Sequence, residues 1–211
     1  MKEDLQLYDY WPYIDRPKIV WPNGAKLAFW VAPNIEFYEI DPPENPNRKP
    51  WPRINPSVTA YSIRDYGNRV GHMRQMALLD KYNIRGSISL STAICEHHPE
   101  IVGMCLERDW EFFSHGIYNT RYTYGLSEDQ EREMILDAFS TIEKHTGKPP
   151  AGYLAPALSH SEHTLDLFAE IGGLYTCDLF HDDQPTPVQV RSAKKFVSIP
   201  YSLEMNDTIA F

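Results

Sequence analysis

The fold of this chain is decided by one stretch, Trp110-Glu111-Phe112-Phe113-Ser114-His115-Gly116-Ile117-Tyr118-Asn119. The stretch begins as an apolar run of strand length and ends with a histidine that is followed by a glycine. In α/β barrels and open parallel sheets, ligands bind at the edge formed by the carboxyl ends of the strands. The stretch therefore predicts a buried strand that places His115 at this edge.

Further apolar runs on both sides have the length of buried strands, and the segments between them repeat apolar residues at helical spacing. Strands are predicted over residues 26–32, 85–90, 152–155, 174–179 and 196–200. Helices are predicted over residues 64–83, 92–106, 127–147 and 159–172. Strands that alternate with helices indicate βα units around a parallel sheet, so the predicted fold class is α/β.

Local signals mark the ends of several predicted elements. Ser127 with Gln130, and Ser159 with Glu162, have the spacing of capping boxes that begin helices. Prolines concentrate over residues 41–56, which predicts a long loop after the first strand.

Composition limits the classes of function. The chain has 211 residues and a formal net charge of -9, which argues against nucleic acid and anionic membranes as partners. No apolar run reaches the ~20 residues of a membrane-spanning helix, and the N-terminus lacks the apolar core of a signal peptide. The three cysteines form no C-x-x-C pair, so we expect reduced thiols and a cytoplasmic location.

Two regions are expected along the chain. Residues 1–25 are rich in aromatic residues and proline and predict an arm laid over the surface of the protein. Residues 26–211 predict a single α/β domain.

Ionisable residues that follow the predicted strands are the candidates for chemistry. Glu36 follows the first strand and is the natural carboxylate partner of His115. Together they suit a general base pair or two ligands of a divalent metal, although catalytic zinc normally has three protein ligands. No G-x-S-x-G motif is present, which argues against a serine acyl-enzyme, and no glycine-rich phosphate-binding motif follows a strand.

Over residues 18–211, the motifs at the strand ends resemble the polysaccharide deacetylase (NodB-homology) family. They are most similar to its branch of cofactor-independent, purine-pathway allantoinases. The matching parts are Pro33-Asn34-Ile35-Glu36, Asp65-Tyr66-Gly67-Asn68-Arg69-Val70-Gly71, Ser114-His115-Gly116, Ala155-Pro156, Asp178 with Asp182-Asp183, and Pro200-Tyr201 with Asn206-Asp207.

This resemblance implies a distorted (β/α)7 barrel and hydrolysis of non-peptide carbon–nitrogen bonds. Metal-dependent members hold zinc with an aspartate pair and a His-Ser/Thr-x-x-His motif. Here Asn34 and Glu36 stand where the aspartate pair is expected, and Gly116 and Asn119 replace the Ser/Thr and the second histidine. Leu154 replaces the arginine of an R-x-P motif. The expectation is therefore no cofactor, or a weakly bound divalent metal such as zinc on Glu36 and His115.

The resemblance also assigns expected roles. Glu36, His115 and Asn34 are the predicted catalytic residues. The predicted substrate contacts are Tyr118, Asn119, Pro156, His160 and Tyr201. The expected substrate is a small-molecule amide or an N-acylated sugar.

Two alternatives remain open. Family members continue past the position of Phe211, so one expectation is a barrel truncated at its C-terminal end: the chain is a fragment, or another chain completes the barrel, as in a homo-oligomer. An open last strand would otherwise be an unprotected edge. A catalytically impaired relative that binds carbohydrate or a small molecule is the other, with aromatic residues available to stack on sugar rings: Trp11, Trp21, Tyr118, Tyr122 and Tyr124.

Overall fold

The computed structural model describes residues 6–43, 56–192 and 194–207, and these contain a seven-stranded sheet of order β1-β2-β3-β4-β5-β7-β6. All neighbouring strands run parallel except β6, which is antiparallel to β7. The strands are β1 Asn34–Ile35, β2 Ser87–Leu90, β3 Glu111–Ser114, β4 Gly152–Tyr153, β5 Tyr175–Thr176, β6 Thr186–Pro187 and β7 Val197–Ser198. The predicted α/β class is confirmed.

Helices connect the parallel strands. They are α1 Val58–Tyr66, α2 His72–Lys81, α3 Ile94–His97, α4 Pro99–Glu107, α5 Glu128–Thr146 and α6 Thr164–Glu170. The capping box that begins α5 is present, with Ser127 accepting from the Gln130 backbone and Gln130 accepting from the Ser127 backbone. None of these helices combines the length and apolar character that a membrane-spanning helix needs, as far as the described ranges extend.

The first predicted strand, residues 26–32, is displaced along the chain. The backbone oxygens of Val31 and Pro33 accept hydrogen bonds from β2, and that of Ile35 accepts one from Ser91 just after β2. Strand pairing therefore includes Pro33 to Ile35, which were predicted to follow the strand. Leu27 and Phe29 are 74% and 72% exposed, because no described strand or helix covers them. An apolar run alone does not show which of its residues pair with the neighbouring strand.

Two other local predictions were wrong. Strand β6 was missed because its two residues are too short for a pattern, and its proline is tolerated only at such an edge position. Ser159 and Glu162 do not form a capping box; α6 begins at Thr164, whose side chain accepts from the Ser161 backbone.

The helix predicted over 64–83 begins earlier, at Val58, with Ser57 as its cap. A π-helical turn, Gly67–Gly71, joins α1 to α2. Buried Asn68 in this turn donates a hydrogen bond from Nδ2 to the Glu36 backbone oxygen at 3.0 Å. The turn thus fixes the segment that follows β1. The proline-rich loop predicted before this helix lies mostly outside the described residues.

The core lies on both faces of the sheet. Along β3, Phe112 packs among helix residues while Phe113 packs on the opposite face, as strand alternation requires. The cluster around Phe113 includes Trp30 from before β1 and Ile199 from after β7. The two sides of the sheet therefore curve towards each other, although no described strand pairing joins them.

The segment before β1 contacts the opposite side of the sheet. Tyr8 stacks on His181 with ring centroids 3.8 Å apart, and Arg16 donates to Asp182 at 2.6 Å. These contacts hold the described part of the predicted arm against the protein surface.

Candidate active site

Polar groups from four parallel strands meet at one edge of the sheet. Glu36 follows β1, His115 follows β3, the peptide between Leu154 and Ala155 follows β4, and Asp178 lies two residues beyond β5. Because the carboxyl ends of parallel strands share an edge, these groups lie together.

Glu36 and His115 are in direct contact. Oε1 of Glu36 lies 3.2 Å from Nε2 of His115. The His115 side chain is only 4% exposed and the Glu36 side chain 23%, so solvent reaches the pair from the side of the carboxylate. The structure thus brings together the two side chains that the sequence placed in one cavity, while their chemical roles stay predictions.

The hydrogen bond of the other ring nitrogen, Nδ1, fixes the orientation of the His115 ring. Nδ1 lies 2.8 Å from the Leu154 carbonyl oxygen, which can only accept, so Nδ1 carries a hydrogen. Nε2 is therefore the ring nitrogen that faces Oε1 of Glu36.

The second carboxylate oxygen of Glu36 is held by Tyr38. The Tyr38 hydroxyl donates to Oε2 at 2.6 Å and accepts a hydrogen bond from Nδ2 of Asn119. Burial alone would raise the pKa of Glu36, but hydrogen bonds from His115 and Tyr38 and the charge of Arg64 outweigh it. The pKa of Glu36 lies below its ordinary value, so the group is a carboxylate at neutral pH.

Asp178 is joined to His115 by one peptide group. Its Oδ1 accepts from the Ala155 N–H at 2.8 Å, and the carbonyl of the same peptide accepts from His115. Burial raises the pKa of Asp178 to about 6. The hydrogen bond from the Ala155 N–H and the interactions with His160 and His115 act in the opposite direction and lower this pKa. A fully buried acid that titrates near neutrality is unusual and is typical of functional sites.

Gly116 and Pro156 form one wall beside His115. Gly116 has a φ of +67°, and a Cβ there would lie 2.8 Å from Cγ of Pro156. Pro156 begins a short turn in which Ala157 and Leu158 both have positive φ, at 50° and 57°. Strained backbone of this kind clusters at ligand-binding sites.

Asn34 and Tyr201 lie together, across the gap between β1 and β7. Burial raises the pKa of Tyr201, while hydrogen bonds from Asn34 and Asn206 act in the opposite direction. Tyr118 instead packs edge-on against Phe37, with ring centroids 6.0 Å apart, on the side of the sheet that faces the helices.

Three buried polar atoms near the pair have no hydrogen-bond partner among the described residues: Oδ1 of Asn34, Oδ1 of Asn119 and Nδ1 of His160. Buried polar atoms are nearly always hydrogen-bonded in folded proteins. Unpaired atoms from three predicted site residues are therefore available to a ligand.

Sequence reasoning missed Tyr38 and Arg64 of this site, and it named Asp178 as a candidate site residue at a strand end without giving it a specific role. Tyr38 lies two residues from Glu36, which in extended chain puts both side chains on one face, so its position carried a usable signal. Asp178 belongs to the matched motifs. Nothing in the sequence pairs Arg64 of α1 with the segment after β1.

The donor atoms do not fit a catalytic zinc centre. Within the described ranges, no group of three or more His, Cys, Asp or Glu side chains is placed to hold a metal ion. Glu36 and His115 provide two suitable atoms, but these bond to each other, and the third neighbour, Asn119, offers a neutral amide. Catalytic zinc normally takes three protein ligands.

Comparison with known sequences finds one family. The sequence profile described as polysaccharide deacetylase matches residues 56–175. The peptidoglycan deacetylase of Helicobacter pylori is 30% identical over 142 residues, which cover 67% of this chain and 48% of that protein. The chain thus spans about half the length of this relative.

Two solved structures resemble almost the whole chain. Puue allantoinase matches with a TM-score of 0.79 and 26% sequence identity, and the match covers 98% of this chain and 70% of the allantoinase chain. A probable polysaccharide deacetylase from Pseudomonas aeruginosa has the same TM-score and identity, covering 98% and 71%. Both are NodB-type (β/α)7 barrels, which confirms the predicted fold type, although the sheet described here is not closed by strand pairing.

Proposed function

The chain belongs to the polysaccharide deacetylase family, and we propose that it is a hydrolase that cleaves a non-peptide carbon–nitrogen bond. The observation that carries this proposal is the 3.2 Å contact between Glu36 and His115 at the carboxyl edge of the sheet. A carboxylate reachable from solvent beside a buried imidazole is an arrangement for general acid–base catalysis.

The proposed reaction uses the two side chains in sequence. A water molecule that donates a hydrogen bond to Glu36 attacks the amide carbonyl carbon, and Glu36 takes its proton as the new C–O bond forms. Glu36 passes this proton to Nε2 of His115 across their 3.2 Å contact. His115 then donates the proton to the leaving nitrogen as the C–N bond breaks, so that one water is consumed and both side chains return to their starting states.

The neighbouring groups support these roles. Tyr38 holds the second oxygen of Glu36, and the Leu154 carbonyl fixes the ring of His115, so both groups are oriented before substrate binds. The unpaired Oδ1 atoms of Asn34 and Asn119 are acceptors for substrate N–H groups.

We propose that hydrolysis does not depend on a tightly bound zinc ion. The described residues support this, because they contain no group of three His, Cys, Asp or Glu side chains placed to hold a metal ion, and Asn119 replaces the second histidine of the metal-binding motif that the family resemblance implies. For the substrate, we propose a small-molecule amide or an N-acylated sugar. The two relatives' names suggest the test compounds, allantoin and an N-acetylglucosamine oligomer.

The proposal is tested by measuring hydrolysis of both compounds by purified protein, before and after chelator treatment, with metal content determined on the same samples. We expect turnover that survives removal of zinc. Stoichiometric zinc and activity that is lost with it would overturn the metal-independent mechanism. No hydrolysis in any sample would favour the non-catalytic binding alternative.

A further inference from the structure

Arg64 lies next to the Glu36/His115 pair without contacting it directly. It occupies the last turn of α1, and its guanidinium carbon is 3.9 Å from the ring centroid of Tyr38. Tyr38 is the residue whose hydroxyl donates to Glu36. One phenol ring therefore separates the guanidinium of Arg64 from the carboxylate.

Arg64 forms no direct ion pair within the described ranges, and its charge acts on Glu36 only across the Tyr38 ring. Most of the other described arginines form ion pairs: Arg16, Arg69, Arg85, Arg108, Arg121, Arg132 and Arg191. The chain has 29 acidic and 20 basic residues, so carboxylates are not scarce. Arg64 is exposed, so its charge is hydrated in the free protein and is available to an anionic ligand.

A small pocket of about 10 Å³, room for about one water-sized group, opens beside this guanidinium and is lined by Phe37, Tyr38, Tyr61, Arg64, Asp65 and Asn68. Its carboxylate, Asp65, already pairs with Arg69 and lies 3.7 Å from Nε2 of His98. The Nδ2 of Asn68 is bonded to the Glu36 backbone. The charge that the pocket offers to a ligand is thus the positive charge of Arg64.

The geometry of the guanidinium suits a planar anion. A guanidinium stacked on an aromatic ring keeps the N–H donors at its edge, and these match the two oxygens of a carboxylate. Phe37, Tyr38 and Tyr61 line the same small pocket, which has room for the head of such a group but not for the carbon atoms that carry it.

We propose that Arg64 binds a carboxylate of the substrate and so selects amides that carry a carboxylate close to the bond that is cleaved. This inference rests on the proposed function for the position of the reacting bond. The binding of the carboxylate itself does not depend on turnover, so it can be measured separately.

The experiment compares two probes that differ only in charge, N-acetylglycine and N-acetylglycinamide, by isothermal titration calorimetry. Each is titrated into the full chain, into Arg64→Gln and Arg64→Lys, and into Arg74→Gln. Arg74 is the matched control, because it is an arginine of the neighbouring helix that donates to Tyr66 and does not line the pocket.

We expect the native chain to bind the acid about tenfold more tightly than the amide, the scale of one charge-assisted hydrogen-bonded pair. Arg64→Gln removes this preference, Arg64→Lys retains part of it, and Arg74→Gln leaves it unchanged. Equal affinity for both probes, no binding of the acid within its solubility, or a preference that survives in Arg64→Gln would overturn the proposal. If Arg64 only lowers the pKa of Glu36, the substitution changes the affinity for both probes alike.

Discussion

The peptide group between Leu154 and Ala155 links the two buried ionisable side chains of the site. Its carbonyl accepts from His115 and its N–H donates to Asp178. Such linked hydrogen bonds polarise one another in a buried environment. The carboxyl of Asp178 is buried at the end of this chain of hydrogen bonds. Its burial is expected to affect the stability of the folded protein in a measurable way.

Asp178→Asn tests that effect. Because the folded-state pKa of about 6 lies above the ordinary 3.8, the folded protein holds a proton that the unfolded chain releases between these values. The contribution of Asp178 to stability is therefore full below about pH 4 and is lost as the pH rises through 6, by at most about 3 kcal/mol. Asn keeps an acceptor for the Ala155 N–H but cannot ionise.

We predict that chemical denaturation across this pH range shows a smaller loss of unfolding free energy in Asp178→Asn than in the native chain. Identical pH dependence of the two proteins would show that Asp178 does not titrate in this window.

At the scale of elements, the turn that follows β3 depends on a glycine for two separate reasons. Gly116 has a positive φ and also touches Pro156, whereas Gly125, in the loop before α5, has a φ of +79° and open space around it. Gly125→Ala is therefore the matched control for the cost of the backbone conformation alone.

We predict that Gly125→Ala lowers the free energy of unfolding by about 1–2 kcal/mol, the cost of a left-handed residue with a Cβ. Gly116→Ala should cost more, because the Pro156 ring must also move, and it should lower activity through the displaced wall of the site. Denaturation curves for the two variants check this, and equal losses would contradict the close approach to Pro156.

Some elements were predictable from the sequence and others were not. The strand of residues 110–114 and helix α5 with its capping box carry strong local patterns, and both are present. The position of β1 depends on pairing with β2 through Val31, Pro33 and Ile35, which no local pattern shows. The two-residue strand β6 is held by a neighbouring strand rather than by its own sequence.

For the whole molecule, the sequence predicted that Glu36 and His115 face one cavity because both directly follow strands of a parallel sheet. The order of the elements is enough to place these two residues at one edge of the sheet. The contacts of Arg64 and Tyr38 instead depend on how α1 packs beside the segment after β1, and the sequence does not specify this packing.

The measurement that tests the account most directly is a double-mutant cycle on kcat/KM with Glu36→Gln, His115→Ala and the combined variant, using whichever test compound is hydrolysed. Near-ultraviolet circular dichroism confirms that each variant is folded. If the two side chains act as one unit, each single substitution lowers kcat/KM by roughly 10²–10⁴-fold, and the combined variant is about as impaired as the worse single one. Losses that multiply in the combined variant, or an unimpaired His115→Ala, would contradict the account.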